Sequence, residues 1–333
     1  MTSFIELENN LSTKVVLSSV GASIYDIQTK DKNGKVESII YTTKEKDDFS
    51  TERCMLGKTI GRTGGRISNS KFSLNGVDYK IPSYDPNGLH GGIDGISYKE
   101  FKSIVRDLDL YIEVEFSYLS KDLESGYPGD AKIIVTYRLY KNINKLTVNY
   151  KAVSNKDTLM NLSNHSYINL SGNAKRNIFN HDLYIKASKM ERIEKLLPQE
   201  IISCEGIYSF NKMHKIKDYL LEDEIIKNTN GYDFPYILDK TDDYNIILKD
   251  DESKRVLKIK TTYPVVVLYT CNFVGKLMMN NNKLMEPYYA LCLECMYHPN
   301  TINSSFLKDK KDILKANQEY NESVEYYFEV END

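Results

Sequence analysis

The feature that most constrains this sequence is an alternation of apolar and polar residues with a period of two. Over residues 110–118 every second side chain is apolar, and the side chains between them are mostly polar. The pattern returns over 133–139 and 146–152, with a polar segment at 141–144 between these two runs. Because successive side chains of a strand point to opposite faces, the pattern predicts half-buried β-strands, and the last two runs predict a hairpin.

A sharper hairpin is predicted around Asn75-Gly76. Alternating apolar residues flank this dipeptide on both sides, and Asn-Gly favours a type I′ turn because both central residues need positive φ. Two further strands are expected at Val256–Ile259 and Val265–Tyr269. The best helix candidate is short and spans Lys215–Ile226, with apolar residues on one face.

Nothing in the sequence divides the chain. It contains no Gly/Ser-rich or Pro-rich linker, no block of like charge and no repeat of fixed period. A length of 333 residues allows two domains, but the uniform strand pattern favours one. We therefore predict a single all-β domain over residues 1–333, a large antiparallel β-sandwich with few short helices.

Charge, hydrophobic runs and cysteine content exclude several classes of protein and predict a cellular location. A net charge of −3 lacks the basic surface expected of a protein that binds nucleic acid. No apolar run of about 18 residues predicts a membrane span, and segment 1–10 lacks the basic and apolar parts of a secretory signal. The five cysteines are scattered and odd in number, which is typical of a reducing compartment. We therefore expect a cytoplasmic protein.

Two histidines lie in settings that favour chemistry. His90 sits among glycines in segment 87–92, where backbone can approach a ligand closely, although a histidine that caps a turn is an alternative. His165 lies in the polar run 161–170, for which a hydrogen-bonded structural histidine is the alternative. Alternation would place four polar side chains of this run on one face, as a site lining: Ser163, His165, Tyr167 and Asn169.

Glu294 is the most informative acid. It stands in the apolar, strand-like run 289–296, where an unpaired buried charge would cost several kcal/mol. A carboxylate there needs a partner or a function, and burial raises its pKa toward the range where a general base works well. A structural ion pair with an arginine is the alternative.

Two other patterns are set aside. Cys292-x-x-Cys295 flanks Glu294, but residues three apart on a strand face opposite ways, and no second Cys/His pair has zinc-site spacing. Segment 61–66 superficially resembles a phosphate loop but lacks the Gly-Lys-Ser/Thr ending. We therefore predict no metal site and no bound nucleotide, while Arg66 stays of interest as a cation presented from a glycine-rich turn.

Taken in order, several segments resemble the aldose 1-epimerase (galactose mutarotase) family. The matching motifs are Gly61–Ile67, the Asn-x-Leu-His-Gly-Gly of Asn87–Gly92, the Gly-Tyr-Pro-Gly of Gly126–Gly129, NLSNHSYINLSG at Asn161–Gly172, Gly231–Asp233, Tyr269–Asn272 and Leu293-Glu294 with Pro299 and Asn303. The resemblance runs from about Gly21 to Phe328, essentially the whole chain. It implies the family's large antiparallel supersandwich, in agreement with the alternation.

The resemblance also implies an activity, the interconversion of the α and β anomers of a free aldose such as galactose or glucose. Glu294 would be the general base and His165 the general acid, while His90, Arg66 and Asp233 would bind the sugar. Ring opening and closure transfer only protons, so no cofactor is expected. The only expected partner is the sugar, with neither nucleic acid nor membrane, and the chain would be a monomer or a homodimer.

Four residues, at three places in the sequence, depart from the family pattern. Gly65 stands where many members have Asn, Val267 where many have Gln, and Cys295-Met296 where Thr-Gln is common. Each change removes a potential hydrogen-bond partner of the sugar, so the sequence leaves the identity of the sugar open. Two other functions are alternatives: a non-catalytic sugar-binding protein of the same fold, and a carbohydrate-cleaving enzyme that uses Glu294 with Asp233.

Overall fold

A computed structural model describes residues 2–218, 220, 226, 229–307 and 311–331. These residues form mainly strands. In chain order the strands are β1 (Phe4–Glu8), β2 (Lys14–Ser18), β3 (Ser23–Lys30), β4 (Val36–Ser38), β5 (Thr59–Ile60), β6 (Arg66–Ile67), β7 (Lys71–Leu74), β8 (Val77–Lys80), β9 (Gly88–Leu89), β10 (Lys102–Asp107), β11 (Tyr111–Ser120), β12 (Ala131–Tyr140), β13 (Lys145–Ser154), β14 (Thr158–Leu159), β15 (Ser163–Asn164), β16 (His181–Ile185), β17 (Lys189–Glu194), β18 (Leu197–Ser203), β19 (His214–Lys215), β20 (Asp233–Ile237), β21 (Ile246–Asp250), β22 (Arg255–Thr261), β23 (Val265–Tyr269), β24 (Cys292–Met296), β25 (Ile313–Leu314) and β26 (Glu319–Val330).

Helical structure is sparse in the described part of the chain. The α-helix α1 spans Lys46–Thr51 and buries Phe49. Single 3-10 turns occur at Ser68–Ser70, Ile96–Tyr98, Glu124–Gly126, Ile178–Asn180, Gly206–Tyr208, Ile216–Asp218 and Thr301–Asn303. No helix among the described residues is long and apolar enough to cross a membrane.

Two sheets carry the architecture. The larger has nine strands in the order β10-β11-β12-β13-β26-β22-β21-β16-β19, and the smaller has five in the order β18-β17-β20-β23-β24. In the larger sheet Val135 lies opposite Phe116 on one neighbouring strand and Tyr150 on the other, and all three side chains are fully buried. The alternation in the sequence therefore reports which face of these strands is buried.

The main core lies between the two sheets. Val135 and Val148 of the larger sheet belong to the same apolar cluster as Leu268 and Leu293 of the smaller sheet. Packing of two antiparallel sheets over one core confirms the predicted all-β sandwich. The five-stranded sheet turns its other face away from this core, and that face carries Glu294.

The local predictions have mixed outcomes. β7 and β8 confirm the hairpin, with positive φ at Asn75 (52°) and Gly76 (77°), and β22 and β23 confirm the two later strands. The helix candidate Lys215–Ile226 falls partly outside the described residues, and its described start is a strand residue followed by the 3-10 turn Ile216–Asp218. The helix α1 was not expected.

Candidate active site

The outer face of the five-stranded sheet forms the floor of a cavity. Strand register aligns Pro235, Val267 and Glu294 in one row across β20, β23 and β24, and Asp233 and Tyr269 in the next. Side chains two residues apart on a strand share a face, so the residues between these rows point into the core. The sheet thus places two carboxylates on a rigid surface.

All five residues singled out in the sequence line this cavity, which has a volume of about 310 Å³ and lies at the lower end of small-molecule sites. They are Arg66, His90, His165, Asp233 and Glu294. Arg66 and His90 come from one small antiparallel pair, because β6 pairs with β9 in a register that sets Arg66 opposite the residue before His90. His165 follows β15, which pairs with β5.

His165 and Glu294 face each other in this cavity. The Nε2 atom of His165 lies 3.4 Å from Oε1 of Glu294, and both side chains are almost fully buried. The His165 ring stacks on Tyr167, with ring centroids 5.1 Å apart, and meets the edge of Tyr269. Aromatic packing on two sides therefore fixes the plane of the imidazole.

Burial shifts the pKa values of this pair in opposite directions. It lowers the pKa of His165 to about 4. It raises the pKa of Glu294 well above the ordinary 4.5, and the nearby Asp233 carboxylate raises this pKa further. A histidine that readily gives up its proton and a carboxyl that readily takes one form an acid–base pair that shares a single proton. Among the described residues, Oε2 of Glu294 has no hydrogen-bond partner.

His90 presents an N–H group to the cavity. Its Nδ1 accepts a hydrogen bond from the Gly65 backbone N–H, at 3.1 Å, so the neutral ring carries its proton on Nε2. Burial, together with the charges of His165 and Arg66, lowers the pKa of His90 well below 6.5 and keeps the ring neutral. One ligand atom each from His90, His165 and Glu294 lie within 4.8 Å of one another. A metal there would need a lone pair on His90 Nε2, which this hydrogen bond disfavours.

Arg66 and Asp233 form a loose pair at the edge of the cavity. Nη1 of Arg66 lies 3.9 Å from Asp233 and Nε lies 4.0 Å from Asp85, both beyond hydrogen-bond length. Burial raises the pKa of Asp233, and the Arg66 charge opposes that rise. Nε of Arg66 has no hydrogen-bond partner within the described ranges. Both groups can therefore bond a polar ligand without first breaking a strong contact.

The alternation rule was wrong for two residues of the polar run. Only Ser163 and Asn164 are in a strand, so period two does not continue past them. His165 and Tyr167 reach the cavity, whereas Ser163 does not line it. Asn169 is fully buried elsewhere, where its amide donates to the carbonyls of Arg176 and Tyr289.

Two residues at or beside the cavity were missed from the sequence. Cys292 was noted only as half of a rejected Cys-x-x-Cys motif, yet its sulfur lies 3.4 Å from Nδ1 of His165. Its position two residues before Glu294 on a strand was the available signal, because that spacing puts both side chains on one face. Phe273, which is half exposed at the mouth of the cavity, gave no signal in sequence.

The three departures from the family pattern have distinct structural settings. Val267 joins Met55 and Met296 in an apolar cluster beside Glu294, so part of the cavity wall offers no hydrogen bond. Cys295 points into the main core instead. Gly65 has a φ of 73°, and a Cβ at this position would lie 2.7 Å from the ring of Pro299.

The fold and the buried acid–base pair fit a carbohydrate isomerase, and comparison with known proteins gives the family. The sequence matches the family model described as aldose 1-epimerase over residues 3–327. The chain belongs to the aldose 1-epimerase family, and it is an enzyme of the isomerase class.

Individual relatives resemble the chain over nearly its whole length. The galactose mutarotase of Sus scrofa is 32% identical over 324 residues, 95% of this chain and 91% of that protein. The aldose 1-epimerase of Escherichia coli is 27% identical and covers 98% of this chain and 95% of its own length. The crystal structure of an aldose epimerase homologue from C. elegans has a TM-score of 0.90 at 26% identity and covers 100% of both chains. That of galactose 1-epimerase from Lactobacillus acidophilus has a TM-score of 0.87 at 26% identity, covering 100% of this chain and 99% of its own.

Proposed function

We propose that the protein interconverts the α and β anomers of a free aldose, with Glu294 as general base and His165 as general acid. The observation that carries this proposal is the pair itself: two buried groups, 3.4 Å apart in one cavity, whose pKa values burial shifts in opposite directions. Such a pair can take one proton and give another in the same step. The family and its named relatives favour this activity over sugar binding alone or glycoside cleavage.

The reaction follows from the placement of the groups. Glu294 takes the proton of the anomeric hydroxyl while His165 protonates the ring oxygen, and the bond between that oxygen and the anomeric carbon breaks. The open-chain aldehyde rotates about the adjacent carbon–carbon bond. The former ring oxygen then attacks the other face of the carbonyl, and both proton transfers run in reverse. Proton transfers of this kind each contribute about a hundredfold to ten-thousandfold, and they require no cofactor.

Three further residues would hold the sugar. The N–H of His90 and the guanidinium of Arg66 donate hydrogen bonds toward the ring oxygen and neighbouring hydroxyls, where negative charge develops. Asp233 accepts from ring hydroxyls, since it is held only loosely by Arg66. The apolar wall around Val267 offers no hydrogen bond, so recognition of the sugar's hydroxyls falls to these three residues.

The proposal also covers the domain organisation, the partner and the cellular location of the enzyme. We propose that residues 1–333 act as one domain, supported by a family match that spans nearly the whole chain. A free sugar is the partner, with no nucleic acid or membrane involved, and the protein works in the cytoplasm as a monomer or homodimer. Its near-neutral charge suits an uncharged substrate.

Exchange measurements test the activity directly. NMR exchange or polarimetry with freshly dissolved α-glucose and α-galactose should show equilibration faster than in buffer. Glu294→Gln removes the base but keeps the shape of the side chain, so we expect kcat to fall about a thousandfold. Glu113→Gln, on the edge-proximal strand β11 and outside the cavity, is the control and should keep full activity. If no aldose equilibrates faster than in buffer, or if Glu294→Gln is fully active, the proposal fails.

A further inference from the structure

One strand contacts both ring nitrogens of His165. From β24, Glu294 places Oε1 at 3.4 Å from Nε2, and Cys292 places its sulfur at 3.4 Å from Nδ1. Cys292 and Glu294 are two residues apart, so both side chains leave the same face of the strand. The imidazole therefore lies between two side chains that the same strand holds in position.

The proposed chemistry assigns different tasks to the two nitrogens. Nε2 faces Glu294 and the cavity, so it is the atom that gives and retakes the proton. When Nε2 has lost its proton, the neutral ring must keep the other proton on Nδ1, and when the ring is charged both nitrogens carry protons. Nδ1 is thus a hydrogen-bond donor throughout the cycle, and a buried donor needs an acceptor.

We propose that Cys292 is the positioning residue of the general acid: its sulfur accepts the Nδ1–H of His165 and so keeps Nε2 directed at the sugar. This inference rests on the proposed function, because it takes His165 as the group that protonates the ring oxygen. The His165 backbone carbonyl is the other acceptor near the ring. The rings of His90, Tyr167 and Tyr269 also pack against the imidazole.

The thiol differs in kind from the carboxylate that often orients a catalytic histidine. Cys292 is fully buried, and burial together with the Glu294 carboxylate raises its thiol pKa well above 9.0, so the sulfur stays neutral. A neutral acceptor holds the ring in place without stabilising the imidazolium strongly. A carboxylate at this position would raise the pKa of His165 and make it a weaker acid. Sulfur thus orients the ring and leaves it ready to release its proton.

Three variants of the full-length protein test this role. Cys292→Ala removes the acceptor, and Cys292→Ser supplies a better one at the same place. Cys295→Ala is the matched control, since Cys295 lies on the same strand, is equally buried and faces the core. For each protein, kcat and KM for α-glucose or α-galactose are measured across pH, and NMR of the imidazole nitrogens reports which one is protonated.

We expect Cys292→Ala to lower kcat by about fivefold to tenfold, the worth of one hydrogen bond, with KM changed less than about twofold. The alkaline limb of its pH profile should move to lower pH because the imidazolium has lost an acceptor, and Cys292→Ser should restore kcat and move that limb to higher pH. Cys295→Ala should match the parent protein in both respects. NMR should show Nδ1 protonated in the parent protein, with a changed Nδ1 resonance in Cys292→Ala.

Other outcomes would overturn the inference. It fails if Cys292→Ala has the kcat and pH profile of Cys295→Ala, or if serine restores nothing. It also fails if Nδ1 is unprotonated in the parent protein, a result that does not depend on how well any variant folds. If the parent protein equilibrates no aldose, the proposed function is wrong, but the NMR measurement still decides whether the hydrogen bond to Cys292 exists.

Discussion

Two arginines of one short segment show how differently this fold treats buried charge. Arg62 is fully buried, and its guanidinium donates hydrogen bonds to the carbonyls of Pro128 (2.9 Å) and Gly129 (2.8 Å), among others. It also donates to both oxygens of Ser120. Arg66, four residues later, has two carboxylates near it and neither within hydrogen-bond length.

The difference between the hydrogen bonds of Arg62 and those of Arg66 shows that burial alone does not identify a functional residue in this protein. The acceptors around Arg62 are arranged by backbone of the 120–130 turn, so the arginine ties that turn to the segment 61–66. Arg66 keeps hydrogen-bonding capacity unused, and so does Oε2 of Glu294, within the described part of the structure. Unused hydrogen-bonding capacity around a cavity distinguishes the charged groups of the site from a structural charge such as Arg62.

The largest expected effect comes from making the same substitution at both arginines. Arg62→Met should destabilise the fold by about 3–5 kcal/mol, because several buried carbonyls lose their donor. Arg66→Met should change the free energy of unfolding by less than about 1 kcal/mol and lower kcat/KM about a hundredfold. Denaturant unfolding and exchange kinetics measure the two quantities. The comparison breaks if Arg62→Met unfolds like the parent protein or if Arg66→Met keeps full activity.

An intermediate effect on the stability of the fold is expected from two buried carboxylates, Glu294 and Glu113, whose pKa values are shifted in opposite directions. Burial and the Asp233 carboxylate raise the folded-state pKa of Glu294 above its ordinary 4.5, so this group lowers the stability of the fold as pH rises above 4.5. Glu294→Gln should therefore be more stable than the parent protein at neutral pH, and the gain should shrink as pH falls and vanish below 4.5.

Glu113 gives the opposite sign and sharpens this test. Burial raises its pKa, but hydrogen bonds from Arg138 (2.7 Å) and Arg106 (2.8 Å) outweigh burial and leave the pKa lowered. Glu113→Gln should thus lose stability at neutral pH, and the loss should fade as acid protonates the parent carboxylate. Thermal unfolding across pH measures both variants. Equal signs for the two substitutions would contradict the distinction between satisfied and unsatisfied carboxylates.

The smallest effect is expected at the apolar wall. Val267 lies opposite Glu294 in the sheet, and glutamine there would add a donor and an acceptor next to the bound sugar. We expect Val267→Gln to lower KM for galactose about threefold and to leave kcat within about twofold, the scale of one partly exposed hydrogen bond. Exchange kinetics at varied sugar concentration measure both. An unchanged KM would show that the sugar carries no hydroxyl toward this wall.

Strands and their buried faces could be predicted from the sequence where the backbone is a regular strand, because side chains then alternate between two faces. The long strands β11, β12 and β13 bury one face each, so their alternation is visible in the sequence. It failed in the polar run after Asn164, where the backbone leaves strand geometry and period two no longer sorts the faces. The five candidate residues come together through long-range strand pairing, which local sequence patterns do not reveal. The family resemblance was what grouped them into one site. Cys292 escaped notice because its role depends on where His165 lies in space.

The contact between Gly65 and Pro299 limits how this site can change over evolutionary time. Asparagine tolerates the left-handed backbone at position 65, so the backbone is no barrier to its return. The ring of Pro299 is the barrier, since a Cβ at position 65 would lie 2.7 Å from it. Asparagine at position 65 therefore requires the two segments to move apart. Because Gly65 and Pro299 both line the cavity, an exchange at position 65 would alter the shape of the cavity together with its hydrogen bonds.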